Sequence, residues 1–232
     1  MLGGVSKMIF LKMIWAIVWK DLLTELRTKE IFSSMFTFAL LVMLIFSFAF
    51  SFGRESRELS APGILWVAFT FAGVLGLGRS FSLEKEGNPI LGLMLCPVDR
   101  SAIYFGKMVG NLIFVLLMEA LILPIFVAFF NYNLFTYILP LSLVIFLGTI
   151  GFVAVGTLFS AIAMNTRLRE VLLPILLFPI VVPVIISAVE ASSGVLSGKP
   201  LTEVGFSLKL LVVFDIIFTV VCSLMFEYVV EE

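Results

Sequence analysis

Two acidic residues stand inside long apolar stretches of this 232-residue sequence. Glu119 lies in the middle of one stretch, and Asp215 lies inside another. A charged side chain at the centre of a bilayer costs roughly 2.5 to 3.5 kcal/mol on insertion scales, so such residues usually face a bundle interior or a wet cavity. Two interpretations are open: a polar pathway or relay, or a protonated or hydrogen-bonded carboxyl that ties two helices together.

Catalysis and metal binding can be tested against the residue inventory. The sequence contains no histidine, which excludes the histidine-dependent zinc-protease motif and a serine hydrolase with a histidine base. The two cysteines, Cys96 and Cys222, are too isolated along the chain to indicate a metal or disulfide pair. We therefore predict no catalytic residue and no metal site, and we do not expect an enzyme.

The elements that position these residues are predicted to be membrane-spanning helices. The chain is 61% hydrophobic and 13% charged, whereas soluble domains carry roughly 25% charged residues. A helix needs about 20 apolar residues to cross the hydrocarbon core and pairs its backbone polar groups internally. We predict an all-α, polytopic integral membrane protein whose six-helix transmembrane domain covers residues 31–232. The predicted spans are approximately residues 31–52, 63–83, 108–130, 137–163, 171–189 and 209–230.

The first 30 residues form a separate segment with amphipathic helical spacing. One side of the helical wheel carries Trp15, Val18, Trp19, Leu22, Leu23 and Leu26. The other side carries Lys20, Asp21, Thr24, Glu25, Arg27 and Thr28. Because tryptophan favours the headgroup level, we predict an interfacial helix lying in the membrane plane. It is either a simple anchor or part of a docking surface for a cytoplasmic partner.

The distribution of basic residues predicts the orientation. Most of the 15 lysines and arginines lie in the N-terminal segment and at the second and fourth connections between spans. Basic residues near span ends are retained on the cytoplasmic side. Both termini and the second connection are therefore predicted to be cytoplasmic, in a bacterial or archaeal inner membrane.

The second connection, residues 84–107, is the longest charged internal segment. Its centre, residues 90–95, is apolar and is bordered by Pro89 and Pro97. Proline fits the first turn of a helix but not its interior, so we predict a short helix lying flat on the cytoplasmic face. Asp99 suits a cap for the helix that leads into the third span. A solvated loop without a special role is the alternative.

An ordered set of short motifs connects the chain to a known family. The motifs are APGILWVA at 61–68, LMLCP at 93–97, Gly106-Lys107, Leu147-Gly148-Thr149, the connection that contains Arg167, and the prolines Pro174, Pro179 and Pro183. Together they resemble the CcmB family, the haem exporter protein B, which is the permease-like subunit of the ABC complex in c-type cytochrome maturation. The resemblance extends over nearly the whole chain, from about Trp19 to Val221.

The resemblance implies an ABC-2-like permease that works with other subunits. These are an ABC ATPase subunit (CcmA-like), a haem-handling membrane subunit (CcmC-like), a haem chaperone (CcmE-like) and a second copy of the chain, with no role for nucleic acid. The sequence itself has no Gly-x-x-x-x-Gly-Lys-Ser/Thr phosphate loop, so ATP is expected to be bound by the partner. We expect this subunit to couple ATP hydrolysis to haem export or to release of the haem-loaded chaperone.

The same resemblance implies that the loop 84–107 is a coupling element seated in a groove of the ATPase. The residues expected to form the contact are Glu84, Glu86, Pro97, Asp99 and Arg100. The charges of Glu84, Glu86, Asp99 and Arg100 are expected to set specificity and register at such an interface, while the apolar centre of the loop supplies burial.

Haem is usually held by His, Cys, Met or Tyr side chains. Because the sequence has no histidine, we expect no tightly bound cofactor, and haem is cargo or is held by a partner. Two other functions are open: an ABC-2-type exporter of a lipid, polysaccharide or drug, and a scaffold that transports nothing and assembles a haem-delivery complex.

Overall fold

The computed structural model describes residues 2–49, 54–81, 100–130, 132, 134–164, 166 and 168–229. These residues are mainly helical. The helices are α1 Leu2–Thr28, α2 Glu30–Ala49, α3 Arg54–Ser80, α4 Arg100–Phe130, α5 Leu134–Met164, α6 Arg169–Leu196 and α7 Gly205–Val229. Within the described ranges, six helices are long and apolar enough to cross a membrane, namely α2 to α7. The prediction of an all-α, polytopic membrane protein is confirmed.

The transmembrane helices pack around α5. This helix lies against α4, α6 and α7 and also contacts α3, while α2 packs on α3 and α1 packs on α4. Glycines in α5 allow its neighbours to approach closely, because a glycine has no side chain to hold the facing helix away. The ring of Trp66 in α3, for example, lies directly over Gly148 of α5.

A left-handed residue separates α1 from α2. Lys29 has a φ of 57°, and its N–H donates a hydrogen bond of 2.7 Å to the carbonyl of Glu25. The side chain of Glu25 then accepts a hydrogen bond of 2.7 Å from the N–H of Phe32. The first N–H groups of a helix have no acceptor within the helix, so Glu25 caps α2 from the preceding helix. Burial of this carboxyl raises its pKa above the ordinary value of 4.5.

The sides of α1 differ in one respect from the amphipathic prediction. Trp15 is 60% exposed and Trp19 is 54% exposed, but Val18 is completely buried. Val18, which the helical wheel places on the same side as the two tryptophans, lies next to Ile17, which contacts Gly106 of α4. Position in the membrane plane stays a prediction for α1.

The third span begins earlier than the apolar run suggests. Helix α4 starts at Arg100, where the sequence predicts the start of the helix that leads into the third span, so residues 100–107 of the segment 84–107 are helical. The earlier part of that segment, with Asp99 and the predicted short helix, lies outside the described residues.

Candidate functional site

Three buried polar contacts between α4 and α5 involve one stretch of α5, residues 148–160, which we call the α5 polar strip. Near one end of the strip, the carboxyl of Glu119 meets Thr149. Further along, the Tyr104 hydroxyl donates to the carbonyl of Ala154 over 3.0 Å. The amide of Asn111 donates to the hydroxyl of Thr157 over 3.1 Å. Three residues of α4 therefore bond to α5 between Thr149 and Thr157. These two threonines are about 12 Å apart along the helix, at about 1.5 Å of rise per residue.

Glu119 is buried deep within the bundle. Its side chain is 3% exposed, and both carboxyl oxygens lie 2.9 Å from Oγ1 of Thr149. A buried carboxyl that receives a hydroxyl hydrogen bond costs less than an unpaired one. The arrangement favours the interpretation in which Glu119 ties α4 to α5.

The position of Glu119 also separates two spaces. On one side is a groove of about 970 Å³ between α4 and α5. On the other is a small cavity of about 10 Å³, lined by Trp66 and Thr149 among others, which is about the volume that one water molecule needs. Glu119 is therefore a polar group in the wall between the α4–α5 groove and the bundle core.

Asp215 lies against a different side of α5. Its side chain is 7% exposed, and neither carboxyl oxygen has a hydrogen-bond partner among the described residues. A Cβ placed on Gly151 would stand 2.5 Å from Oδ1 of Asp215, so the carboxyl rests on the α5 backbone. Because Thr149 and Gly151 are two positions apart, they point to nearly opposite sides of the helix. The structure thus brings both predicted acids to α5 without joining them.

An ion pair connects α1 to the first turns of α4. Nζ of Lys107 lies 2.8 Å from Oδ2 of Asp21, and the Lys107 side chain is 1% exposed. The ammonium also lies 5.4 Å from the ring centre of Phe81, within the range of a cation–π contact. Lys20 approaches the same carboxylate at 3.2 Å. The polar side of α1 therefore turns partly toward the bundle.

Of the five predicted ATPase contacts, Arg100 is described. Its guanidinium donates a hydrogen bond of 3.4 Å to the carbonyl of Glu227 near the end of α7. Glu84, Glu86, Pro97 and Asp99 lie outside the described residues. Arg100 is the first residue of α4, so this contact places the start of α4 beside the end of α7.

The predicted interfacial residues form an apolar stripe on α1. Trp15, Trp19 and Leu26 are exposed and Leu22 is partly exposed. The stripe faces away from the ion pair with α4. Among the described residues, no group of three or more His, Cys, Asp and Glu side chains converges on a point that could hold a metal.

Sequence reasoning missed the most specific partners. Lys107 was noted only as a basic residue and as part of a motif, although an ammonium close to a long apolar run signals a buried partner. Its partner Asp21 is far away in sequence, and no local pattern connects the two. Thr149 was noted in a motif without a role, because a hydroxyl within an apolar helix can also bond to its own backbone.

Comparison with known proteins identifies the family. A protein-family model described as CcmB protein matches residues 12–231, which is nearly the whole chain. The chain belongs to the CcmB family. Heme exporter protein B of Paracoccus denitrificans is 29% identical over 195 residues, covering 82% of this chain and 88% of the relative. The Rhodobacter capsulatus protein of the same name is 28% identical, covering 75% of this chain and 80% of the relative. Heme exporter protein B of Pseudomonas aeruginosa is 27% identical over 75% of this chain and 77% of its own length.

In this CcmB-family chain, two of the sequence motifs meet inside the bundle. Trp66 of the first motif covers Gly148, and its Nε1–H donates a hydrogen bond of 2.9 Å to the hydroxyl of Ser192 in α6. The neighbouring Thr149 holds Glu119. Motifs that are distant along the chain therefore form one contact region that joins α3, α4, α5 and α6.

Proposed function

We propose that this chain is the permease-like membrane subunit of an ABC complex in c-type cytochrome biogenesis. In this role it couples ATP hydrolysis by a separate ATPase subunit to haem export or to release of the haem-loaded chaperone. The family match over residues 12–231 and the relatives named heme exporter protein B support this assignment. The expected partners are CcmA-like, CcmC-like and CcmE-like proteins and a second copy of the chain, with ATP bound by the ATPase.

The observation that carries the coupling mechanism is the buried ion pair between Lys107 and Asp21. It lies in the first turns of α4, and Lys107 is the last residue of the segment 84–107 that is proposed to contact the ATPase. A force applied there reaches α1 through the ion pair and reaches α7 through Arg100, which bonds to the carbonyl of Glu227. Packed helices move as rigid elements, so a push on the start of α4 displaces these neighbours together.

The same helix carries the motion into the centre of the bundle. Asn111 and Glu119 of α4 hold Thr157 and Thr149 of α5. Tilting α4 therefore either carries α5 along or breaks these hydrogen bonds. In the proposed mechanism α5 moves with α4, and the α4–α5 pair changes its position relative to α6 and α7.

Copurification in mild detergent tests the assignment. The chain is expected to bring down an ATPase subunit together with a haem-handling membrane subunit. If the chain is an ABC-2-type exporter of another substrate, it should copurify with an ATPase but without the haem-handling subunit. If it is a scaffold, inactivating the ATPase should leave release of the haem-loaded chaperone unchanged. Either of these two results would contradict the proposed coupling.

Variants in the proposed coupling segment test the contact itself. Charge reversal with D99R and R100E, and separately removal of residues 90–95, is expected to abolish ATPase association while the chain still inserts and folds. The matched control reverses the charges at the opposite end of the bundle, with E203K and K209E on either side of the start of α7. If ATPase binding survives both coupling variants, the segment is not the contact.

A further inference from the structure

The α4–α5 groove has the shape and lining of a site for a hydrocarbon chain. Its volume is about 970 Å³, at the upper end of the roughly 300 to 1,000 Å³ of ligand pockets. Leu123 and Leu143 contribute to its apolar walls, and Leu139 at its edge is 80% exposed. The α5 part of the lining, residues 138–146, is about 12 Å long at 1.5 Å per residue. The groove is therefore an elongated apolar channel on the outside of a membrane-spanning bundle.

A second cavity at the α6–α7 connection is polar. It measures about 380 Å³ and is lined by Lys199, Glu190 and Glu203, together with several serines. Glu190 accepts a hydrogen bond of 3.2 Å from the hydroxyl of Ser207, which holds that carboxylate in the cavity wall. The cavity thus presents one cationic and two anionic side chains.

Lys199 lines both spaces. The apolar groove and the polar cavity therefore adjoin at Lys199, next to Pro200 and Leu201 of the groove lining. An occupant that fills both spaces needs a linear apolar chain attached to a compact polar group. A glycerophospholipid is the molecule of that shape that surrounds a membrane protein.

The charges of the polar cavity select among phospholipid headgroups. Lys199 offers an ammonium to the lipid phosphate, whereas Glu190 and Glu203 offer carboxylates to a cation on the headgroup. A primary ammonium donates three hydrogen bonds to such carboxylates, which a quaternary ammonium cannot do. A headgroup with a phosphate but no cation leaves the two carboxylates facing like charge, which is unfavourable.

We propose that the α4–α5 groove and the adjoining polar cavity together bind one phospholipid with a primary-amine headgroup, phosphatidylethanolamine. One acyl chain lies in the groove beside Leu143 and Leu123. The phosphate lies at Lys199 and the ammonium at Glu190 and Glu203. The bound lipid covers Glu119 on the side that faces the groove.

Native mass spectrometry of the full chain in mixed micelles tests the site. The micelles contain equal amounts of phosphatidylethanolamine, phosphatidylcholine and phosphatidylglycerol. Wild-type protein is expected to retain phosphatidylethanolamine preferentially. K199Q is expected to lower its occupancy about threefold, as for an exposed charge pair, while E190Q together with E203Q removes the preference over phosphatidylcholine. K209Q is the matched control, because Lys209 lies at the same end of the bundle without lining either cavity, and it is expected to bind as wild type.

The acyl-chain part needs its own variants. A120W places a large ring in the wall of the groove and is expected to abolish lipid retention. Because A120W can disturb folding, a second measurement replaces Leu139 with the photoreactive benzoylphenylalanine, a change at an exposed position. Illumination is expected to attach phosphatidylethanolamine at residue 139 more than at residue 216, an exposed position on α7. Equal binding of the three lipids, an equal loss with K209Q, or attachment of a polypeptide in place of lipid at residue 139 would overturn the proposal.

Discussion

Lys107 and Asp21 form an ion pair of 2.8 Å that fastens α1 to α4, with the lysine side chain almost completely buried. The two residues are far apart in sequence, and they come together because α1 packs along the first turns of α4. The pair gives the N-terminal helix a fixed position beside the segment that leads to the proposed ATPase contact.

Removing Lys107 should therefore detach α1. K107A leaves the partly exposed Asp21 carboxylate with the more distant Lys20, so the loss of stability should lie below the roughly 3 to 5 kcal/mol of a fully buried pair that is broken on one side. The unfolding free energy in detergent is the measurement. The double variant D21A/K107A should lose less stability than the sum of the two single variants.

K20A is the control for this prediction. Its ammonium meets the same carboxylate but is 40% exposed, and exposed pairs contribute only about 0 to 1 kcal/mol. An equal loss in K20A and K107A would show that burial of Lys107 is unimportant.

The hydrogen bond between Glu119 and Thr149 predicts an asymmetric pair of variants. T149V keeps the side-chain shape but removes the hydroxyl donor, so it should destabilise the protein by about 1 to 3 kcal/mol, the cost of an unsatisfied buried polar group. E119Q keeps an acceptor for the hydroxyl and should cost less. In T149V/E119M both groups are apolar, and thermal unfolding in detergent should show recovery relative to T149V. No recovery would mean that Thr149 contributes through something other than this bond.

Close packing at Gly151 predicts a steric penalty. The Cβ of G151A would stand 2.5 Å from Asp215 and 2.9 Å from the ring of Phe214, and overpacking costs typically about 1 to 3 kcal/mol. The same substitution at Gly63, where a Cβ meets nothing within 4 Å, should stabilise the helix by roughly 0.5 to 1 kcal/mol. Unfolding temperatures of the two variants measured side by side should move in opposite directions. A loss in G63A as large as in G151A would contradict the packing argument.

The cap formed by Glu25 predicts a pH dependence. Burial raises the pKa of this carboxyl above its ordinary value of 4.5, so the folded state holds the proton more tightly than the unfolded state. The stabilising contribution is complete below pH 4.5 and is lost as the pH rises through the folded-state pKa. The stability of the wild-type protein should therefore fall relative to that of E25Q as the pH rises through this range. Glutamine keeps an acceptor for the Phe32 N–H but has no charge.

E25A separates the hydrogen bond from the charge. It removes the cap of α2 and should cost about 0.5 to 2 kcal/mol at every pH. The pH series of unfolding temperatures for the three proteins is the measurement. If E25Q and wild type keep a constant difference from acid to neutral pH, the proton on Glu25 does not contribute.

Several features followed from composition and local pattern alone. Apolar runs of about 20 residues allow few structures other than spanning helices, because an unpaired backbone in lipid costs too much free energy. The number and approximate place of the spans were predicted for this reason, as was the apolar stripe on α1 that contains Trp15 and Trp19. The motifs also indicated the family, because their order along the chain is independent of how the helices pack.

The partners of the polar residues depended on the tertiary structure. The sequence marked Glu119 and Asp215 as unusual in an apolar run, but an apolar helix can turn such a residue toward any neighbour. Only the packing of α5 between α4 and α7 decided that Glu119 receives a hydroxyl from Thr149 while Asp215 rests on Gly151. The burial of Val18 and the pairing of Lys107 with Asp21 were decided in the same way, since the free energy of a polar group in a membrane protein depends on contacts between helices that are far apart in sequence.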